Sequence, residues 1–199
     1  KYIIFFMKIK FKYLPNILTV SRLISCPILI YLFYSYPDLL KNNILTLIIL
    51  IIFLTACITD FLDGYLARNY NLESRLGKVL DPIADKALII TISILLIIYA
   101  KDLPQLPFFI IMLREIIVLS LRYDLNNVEQ SINVNMLSKC KTVIQMIAIA
   151  SIFIYYIYGI GKYSYFIEHV SFGFLWFASI ITIISGIHHF KTYLKLRKK

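Results

Sequence analysis

Asp60 and Asp63 stand three residues apart and Asp81 and Asp85 four apart, in a stretch from Thr59 to Ile89 that joins long apolar runs on both sides. An aspartate at mid-bilayer costs about 2.5 to 3.5 kcal/mol on insertion scales, so four of them beside membrane-like segments need a physical reason. On helices, spacings of three and four put each pair on one face. If the two helices form a hairpin, the four carboxylates meet, and they cannot all stay ionised there without cations. An all-oxygen donor set suits Mg²⁺ or Mn²⁺, and two such ions would neutralise the cluster. Gly64 directly after Asp63, and Gly77 four residues before Asp81, leave room for a ligand or another backbone to come close. Arg68 supplies a planar fork suited to phosphate oxygens. Metals beside glycines and an arginine suggest a diphosphate substrate. Pro82 sits well in a first helical turn, which predicts a helix beginning near Asp81. Two other readings fit the same residues: structural pairing of the aspartates with Arg68 or Lys86, and a cation or proton path across a membrane.

The segments that must position these groups are apolar blocks. Of 199 residues, 60% are hydrophobic, and they are grouped into stretches long enough to cross a bilayer. Six spans are predicted, at about 16–35, 44–66, 78–100, 104–125, 138–160 and 167–190. The expected fold is therefore an all-α integral membrane protein of six transmembrane helices, one domain over residues 1–199, with a polar site facing the cytoplasm. Residues 1–14 are basic and aromatic, with lysines breaking the apolar run and no small-residue cleavage site after it. They predict a short interfacial helix ahead of the first span rather than a signal peptide, with Met7 a candidate start. Cys26, Cys57 and Cys140 have no paired spacing, which argues against a disulfide framework or a zinc site.

A net charge of +10 suits nucleic acid, yet the positions of the cations fit membrane topology better. Lys1, Lys8, Lys10 and Lys12 precede span one; Arg68, Arg75 and Lys78 join spans two and three; Arg122, Lys139 and Lys141 flank the link between spans four and five; Lys191, Lys195, Arg197, Lys198 and Lys199 close the chain. The opposite loops hold only Lys41, Lys101 and Lys162. By the positive-inside rule both termini and the aspartate-rich loop face the cytoplasm, where the basic surface also attracts anionic lipid headgroups.

The full spacing, Asp60-x2-Asp63-Gly64-x2-Ala67-Arg68-x8-Gly77-x3-Asp81-x3-Asp85, resembles at every defined position the signature of the CDP-alcohol phosphatidyltransferases. The resemblance covers nearly the whole chain, since that family also has six membrane helices with the signature across the second and third. It implies a reaction in which a CDP-activated lipid, CDP-diacylglycerol, gives its phosphatidyl group to an alcohol and CMP leaves. It further implies that Asp60, Asp63 and Asp81 bind metal with Asp85 nearby, that Gly64, Ala67, Arg68 and Gly77 meet the CDP moiety, that Asp85 is the general base, and that the protein is a homodimer. The setting it implies is phospholipid synthesis at a bacterial inner membrane.

Three further stretches bear on the acceptor: Pro15 to Arg22 opening span one, Arg114 with Arg122 eight residues on in span four, and Ser138 to Gln145 opening span five. They resemble the branch of the family that uses glycerol 3-phosphate, with Ser138 where that branch typically has glycine. Arg114, Arg122 and Lys139 are the candidate cradle for the acceptor's phosphate. The plainer reading pairs Arg114 with Glu115 or another acidic side chain and leaves Lys139 and Lys141 as anchors of a span end. Rival acceptors are serine, inositol phosphate and phosphatidylglycerol. A transporter, the rival of another class, needs paired broken helices or a repeat between halves, whereas these acidic residues sit in one hairpin. His169, His188 and His189 lie at span ends and read as interfacial, the many Tyr and Phe residues as lipid-facing, and Gly159 and Gly161 as the turn after span five.

Overall fold

The computed structural model describes the backbone of residues 2–70, 75–126, 136–159 and 164–197, and the side chains of 17–59, 80, 83–121, 123–124, 140–159 and 164–197. Among the described residues there are six α-helices and no strand. The helices are α1 (Tyr2–Ser35), α2 (Asn43–Tyr70), α3 (Arg75–Tyr99), α4 (Gln105–Asn126), α5 (Met136–Tyr158) and α6 (Ser164–Arg197), with a single 3-10 turn at Leu39–Lys41. Helices satisfy every interior backbone group within the segment, as apolar surroundings require.

Local chemistry sets the ends. Pro37 disfavours helical geometry at Tyr36, and α1 stops at Ser35. Asn42 then caps α2, its Oδ1 accepting from the backbone N–H groups of Ile44 (3.0 Å) and Leu45 (3.2 Å). At the end of α5 the Gly159 N–H bonds the Tyr155 carbonyl, and a Cβ at Gly159 would lie 2.3 Å from that oxygen, so only glycine fits this turn. Gly161 lies outside the described residues.

Two expectations about helix starts change. The basic segment expected as a separate interfacial helix runs without a break into the first span, as one 34-residue helix across Pro15 and Pro27. The third helix begins at Arg75, so Pro82 lies in its interior and not in its first turn. Each proline removes one ladder hydrogen bond, a loss that helices in apolar surroundings tolerate when neighbouring segments compensate.

Helix packing traces a ring: α1 against α2, α2 against α5, α5 against α6, α6 against α4, α4 against α3, and α3 back against α1. Aromatic pairs fill two of these seams, Phe33 with Tyr99 at 5.3 Å between ring centroids and Phe53 with Phe153 at 6.3 Å. Over the described residues α1 therefore mediates between α2 and α3, where the sequence suggested a directly packed hairpin. The ring encloses Leu29, Phe33, Phe53, Ile92, Phe108, Ile152 and Leu175, all 0% exposed.

The outer surface is apolar too. Ile44, Ile51 and Ile58 of α2, Leu106, Phe109, Leu113 and Ile116 of α4, and Phe177, Ile180, Ile184 and Ile187 of α6 form exposed stripes at helical spacing. Such continuous apolar surface suits lipid and not water. Among the described residues, Ile17–Ser35, Cys140–Tyr158 and Ser164–Arg197 are long and apolar enough to cross a membrane, and Asn43–Thr59 is a shorter apolar helix. The protein is thus all-helical with the surface of a membrane protein.

Candidate active site

The two arms of the aspartate signature continue buried helix faces. On α2, positions 60, 63, 64, 67 and 68 extend at helical spacing the stripe of Phe53, Ala56 and Cys57, which are 0%, 5% and 8% exposed. On α3, Gly77, Asp81 and Asp85 stand at i, i+4 and i+8, and that stripe runs on into Leu88, Ile92 and Leu96, at most 1% exposed. The two arms lie at the end of α2 and the start of α3, in sequence register with those buried stripes. The side chains of Asp60, Asp63, Ala67, Arg68, Asp81, Arg122 and Lys139, and the surroundings of Gly64 and Gly77, lie outside the described residues. Their placement is that of their helices: the last turns of α2, the first turns of α3, the end of α4 and the start of α5.

Asp85 is described. Its Oδ2 accepts from Lys86 Nζ, and the same ammonium lies 3.4 Å from Glu115 Oε2 on α4. One lysine thus bridges the last carboxylate of the signature to a carboxylate on another helix.

Glu115 is the centre of a buried polar network. It is 1% exposed, and its Oε1 accepts from Lys141 Nζ and from Gln145 Nε2, the latter at 3.1 Å. Lys141 and Gln145 are four apart on α5 and reach it from one face. Gln145 also donates to Thr182 Oγ1 of α6 at 2.9 Å. Arg114, 8% exposed, has Nη1 3.4 Å from Glu115 Oε1 and donates from Nη2 to Ser185 Oγ of α6 at 2.8 Å. A carboxylate this deep loses several kcal/mol of hydration, which is offset only when cations and hydrogen bonds surround it. Here α3, α4, α5 and α6 each contribute to that shell.

Arg114 therefore does pair with Glu115, as the plainer sequence reading had it, while also holding Ser185. Lys141, read as a span anchor, is 2% exposed and committed to Glu115. Gln145, Thr182 and Ser185 were not singled out from the sequence. Gln145 was detectable as a polar residue four after Lys141, and Thr182 and Ser185 as a pair three apart among the isoleucines of residues 180–187. Arg22 is 1% exposed on α1. At the mouth of the bundle, Tyr193 of α6 donates to Asp124 Oδ2 of α4 at 2.7 Å, and Arg197 donates to the Tyr193 hydroxyl at 3.2 Å. Asp124, a close acidic neighbour of Arg122 in sequence, is thus engaged by α6.

Among the described residues no group of three metal-ligating side chains is present, and three of the four signature aspartates fall outside them. The donor chemistry nonetheless fits a hard divalent cation: four carboxylates on two helices, with no thiol or imidazole in the signature.

Comparison with known proteins bears on the whole chain. The family model described as CDP-alcohol phosphatidyltransferase matches residues 12–184. A Rickettsia typhi protein named CDP-diacylglycerol–glycerol-3-phosphate 3-phosphatidyltransferase is 40% identical over 181 residues, covering 90% of this chain and 96% of its own length. Proteins of the same name from Wigglesworthia glossinidia brevipalpis and Bacillus subtilis are 34% and 31% identical, each over 89% of this chain and over 92% and 93% of their own lengths.

Proposed function

Since the chain belongs to the CDP-alcohol phosphatidyltransferase family, we propose that it transfers the phosphatidyl group of CDP-diacylglycerol to glycerol 3-phosphate, giving phosphatidylglycerophosphate and CMP. The relatives that match over most of its length carry that activity in their names. The structural observation that carries the reading is the bridge from Asp85 through Lys86 to Glu115, which ties the signature helix α3 to the cations of α4 and α5.

In this reading Asp60, Asp63 and Asp81, with Asp85 beside them, hold two divalent ions, Mg²⁺ or Mn²⁺. Bound there, such ions neutralise the diphosphate and stabilise charge on the departing CMP. Gly64, Ala67 and Gly77 keep that part of the site low enough for the CDP moiety to approach, and Arg68 meets its phosphate oxygens. Asp85 accepts the proton of the acceptor hydroxyl as the oxygen bonds to the phosphatidyl phosphorus and the bond to CMP breaks. Lys86 keeps the Asp85 carboxylate in place by donating to Oδ2. Arg114, Arg122 and Lys139 receive the acceptor's phosphate, and the bundle helices hold the acyl chains in lipid.

The six helices read as six spans with both termini and the site on the cytoplasmic side, since the end that carries the signature also carries most of the cations. A homodimer in a bacterial inner membrane completes the reading. The test is CMP release by purified protein given CDP-diacylglycerol and one of several alcohols. Release with glycerol 3-phosphate and not with glycerol, serine or inositol phosphate supports the acceptor assignment, while preference for another alcohol contradicts it and leaves the family chemistry intact.

A further inference from the structure

The polar residues on the inner face of α6 have no place in the mechanism above, yet they hold one of its cations. Ser185 is 2% exposed, and its hydroxyl accepts from Arg114 Nη2 at 2.8 Å. The next residue, Gly186, faces the aliphatic stem of the same arginine: a Cβ there would stand 3.1 Å from Arg114 Cγ, tighter than ordinary packing. One turn earlier, Thr182 accepts from Gln145, which also donates to Glu115, so the same face of α6 steadies the carboxylate beside Arg114. An arginine's donors form a rigid planar fork, so Ser185 on Nη2, with Glu115 3.4 Å from Nη1, fixes the plane of the guanidinium.

We infer that Ser185 and Gly186 are positioning residues for the acceptor site: Ser185 anchors the Arg114 guanidinium and Gly186 makes room for its stem, and together they set affinity for the acceptor's phosphate. Both lie beyond residues 12–184, the part of the chain that the family model matches. The inference rests on the reading that Arg114 meets that phosphate. Loss of the hydroxyl frees the guanidinium to swing, which weakens acceptor binding and leaves the CDP-diacylglycerol site untouched. A methyl at Gly186 displaces the stem and acts in the same direction.

The experiment is CMP release with each substrate titrated in turn, for wild type, Arg114→Lys, Ser185→Ala, Ser185→Thr, Ser185→Val, Gly186→Ala and the double variant Arg114→Lys/Ser185→Ala. Ser185→Ala and Ser185→Val are expected to raise KM for glycerol 3-phosphate roughly tenfold, the scale of one hydrogen bond to a charged group. Their KM for CDP-diacylglycerol stays within about twofold of wild type, a change worth less than half a kcal/mol. Ser185→Thr, isosteric with Val but keeping the hydroxyl, holds the wild-type value for both. Gly186→Ala raises the acceptor KM alone, and Ser185→Ala adds nothing further in the Arg114→Lys background. If a variant is too inactive to titrate, protection of the purified protein against thermal unfolding by glycerol 3-phosphate supplies the same comparison. Equal behaviour of the Thr and Val variants, an equal rise in both KM values, or a full Ser185→Ala effect on top of Arg114→Lys overturns the inference. An unchanged acceptor KM in Arg114→Lys instead overturns the reading it rests on, and the inference with it.

Discussion

Lys86 donates to one carboxylate assigned to chemistry and lies 3.4 Å from another, Glu115, that is buried for architecture, so a single ammonium stands between the reaction and the scaffold. That arrangement predicts different outcomes for the signature carboxylates. Replacing Asp60, Asp63 or Asp81 by Asn keeps size and removes a ligand charge; CMP release should fall to background in each variant and in wild type treated with chelator. Full activity in any of these conditions contradicts the metal assignment. Asp85→Asn should lower turnover by about a hundred- to ten-thousandfold, the usual contribution of a general base, while CDP-diacylglycerol still binds. A binding titration that shows equal loss of affinity would make Asp85 chiefly a metal ligand. The aspartates were legible in the sequence because a helix turns fixed spacings into shared faces, and α2 and α3 are helical across all four. Ser185 and Gln145 were not, because their meaning comes from partners 71 and 30 residues away, which no local spacing encodes.

At the scale of elements, the apolar blocks announced the helices, and their ends were set by Pro37, Asn42 and Gly159, each readable in place. Neighbour order was not readable. Six apolar helices can be arranged in many rings, and over the described residues the placing of α1 between α2 and α3 rests on side-chain fit such as that of Phe33 with Tyr99. The extension of α3 back to Arg75 was hidden by Pro82, whose bias toward a first turn is overridden here. The seam between α4 and α5 makes its own prediction. Lys141→Met removes one partner of Glu115 while Lys86, Arg114 and Gln145 remain around it, so the purified protein should unfold at a lower temperature, on the scale of about 1.5 to 3 kcal/mol for one hydrogen bond to a charged group. Adding Glu115→Gln to that variant alters the other half of the same contact, so the two losses should not add. Strictly additive losses in a thermal-unfolding series would show that the two side chains do not act as a pair.

Across the whole molecule, apolar stripes cover the sides of the ring, and the positive-inside rule applied to the sequence proposes an orientation with both termini in the cytoplasm. Cysteines introduced at Lys41 and Lys101, in a chain whose three native cysteines are replaced, should react with an impermeant reagent from outside the cell, and one at Lys78 only after the membrane is opened. Labelling in the reverse pattern would invert the topology. An orientation can be proposed from the sequence because it depends on counting charges along the chain, whereas the acceptor assignment depends on whether Arg114, Arg122 and Lys139 act together on one phosphate. The central claim is that the phosphate of the acceptor is what these residues recognise. Its most direct measurement is CMP release from CDP-diacylglycerol with glycerol 3-phosphate or glycerol, by wild type and Arg122→Ala. Wild type should favour glycerol 3-phosphate by at least about tenfold in kcat/KM, and Arg122→Ala should lose much of that preference while its KM for CDP-diacylglycerol stays put. Equal use of the two alcohols by wild type, or an undiminished preference in Arg122→Ala, would contradict it.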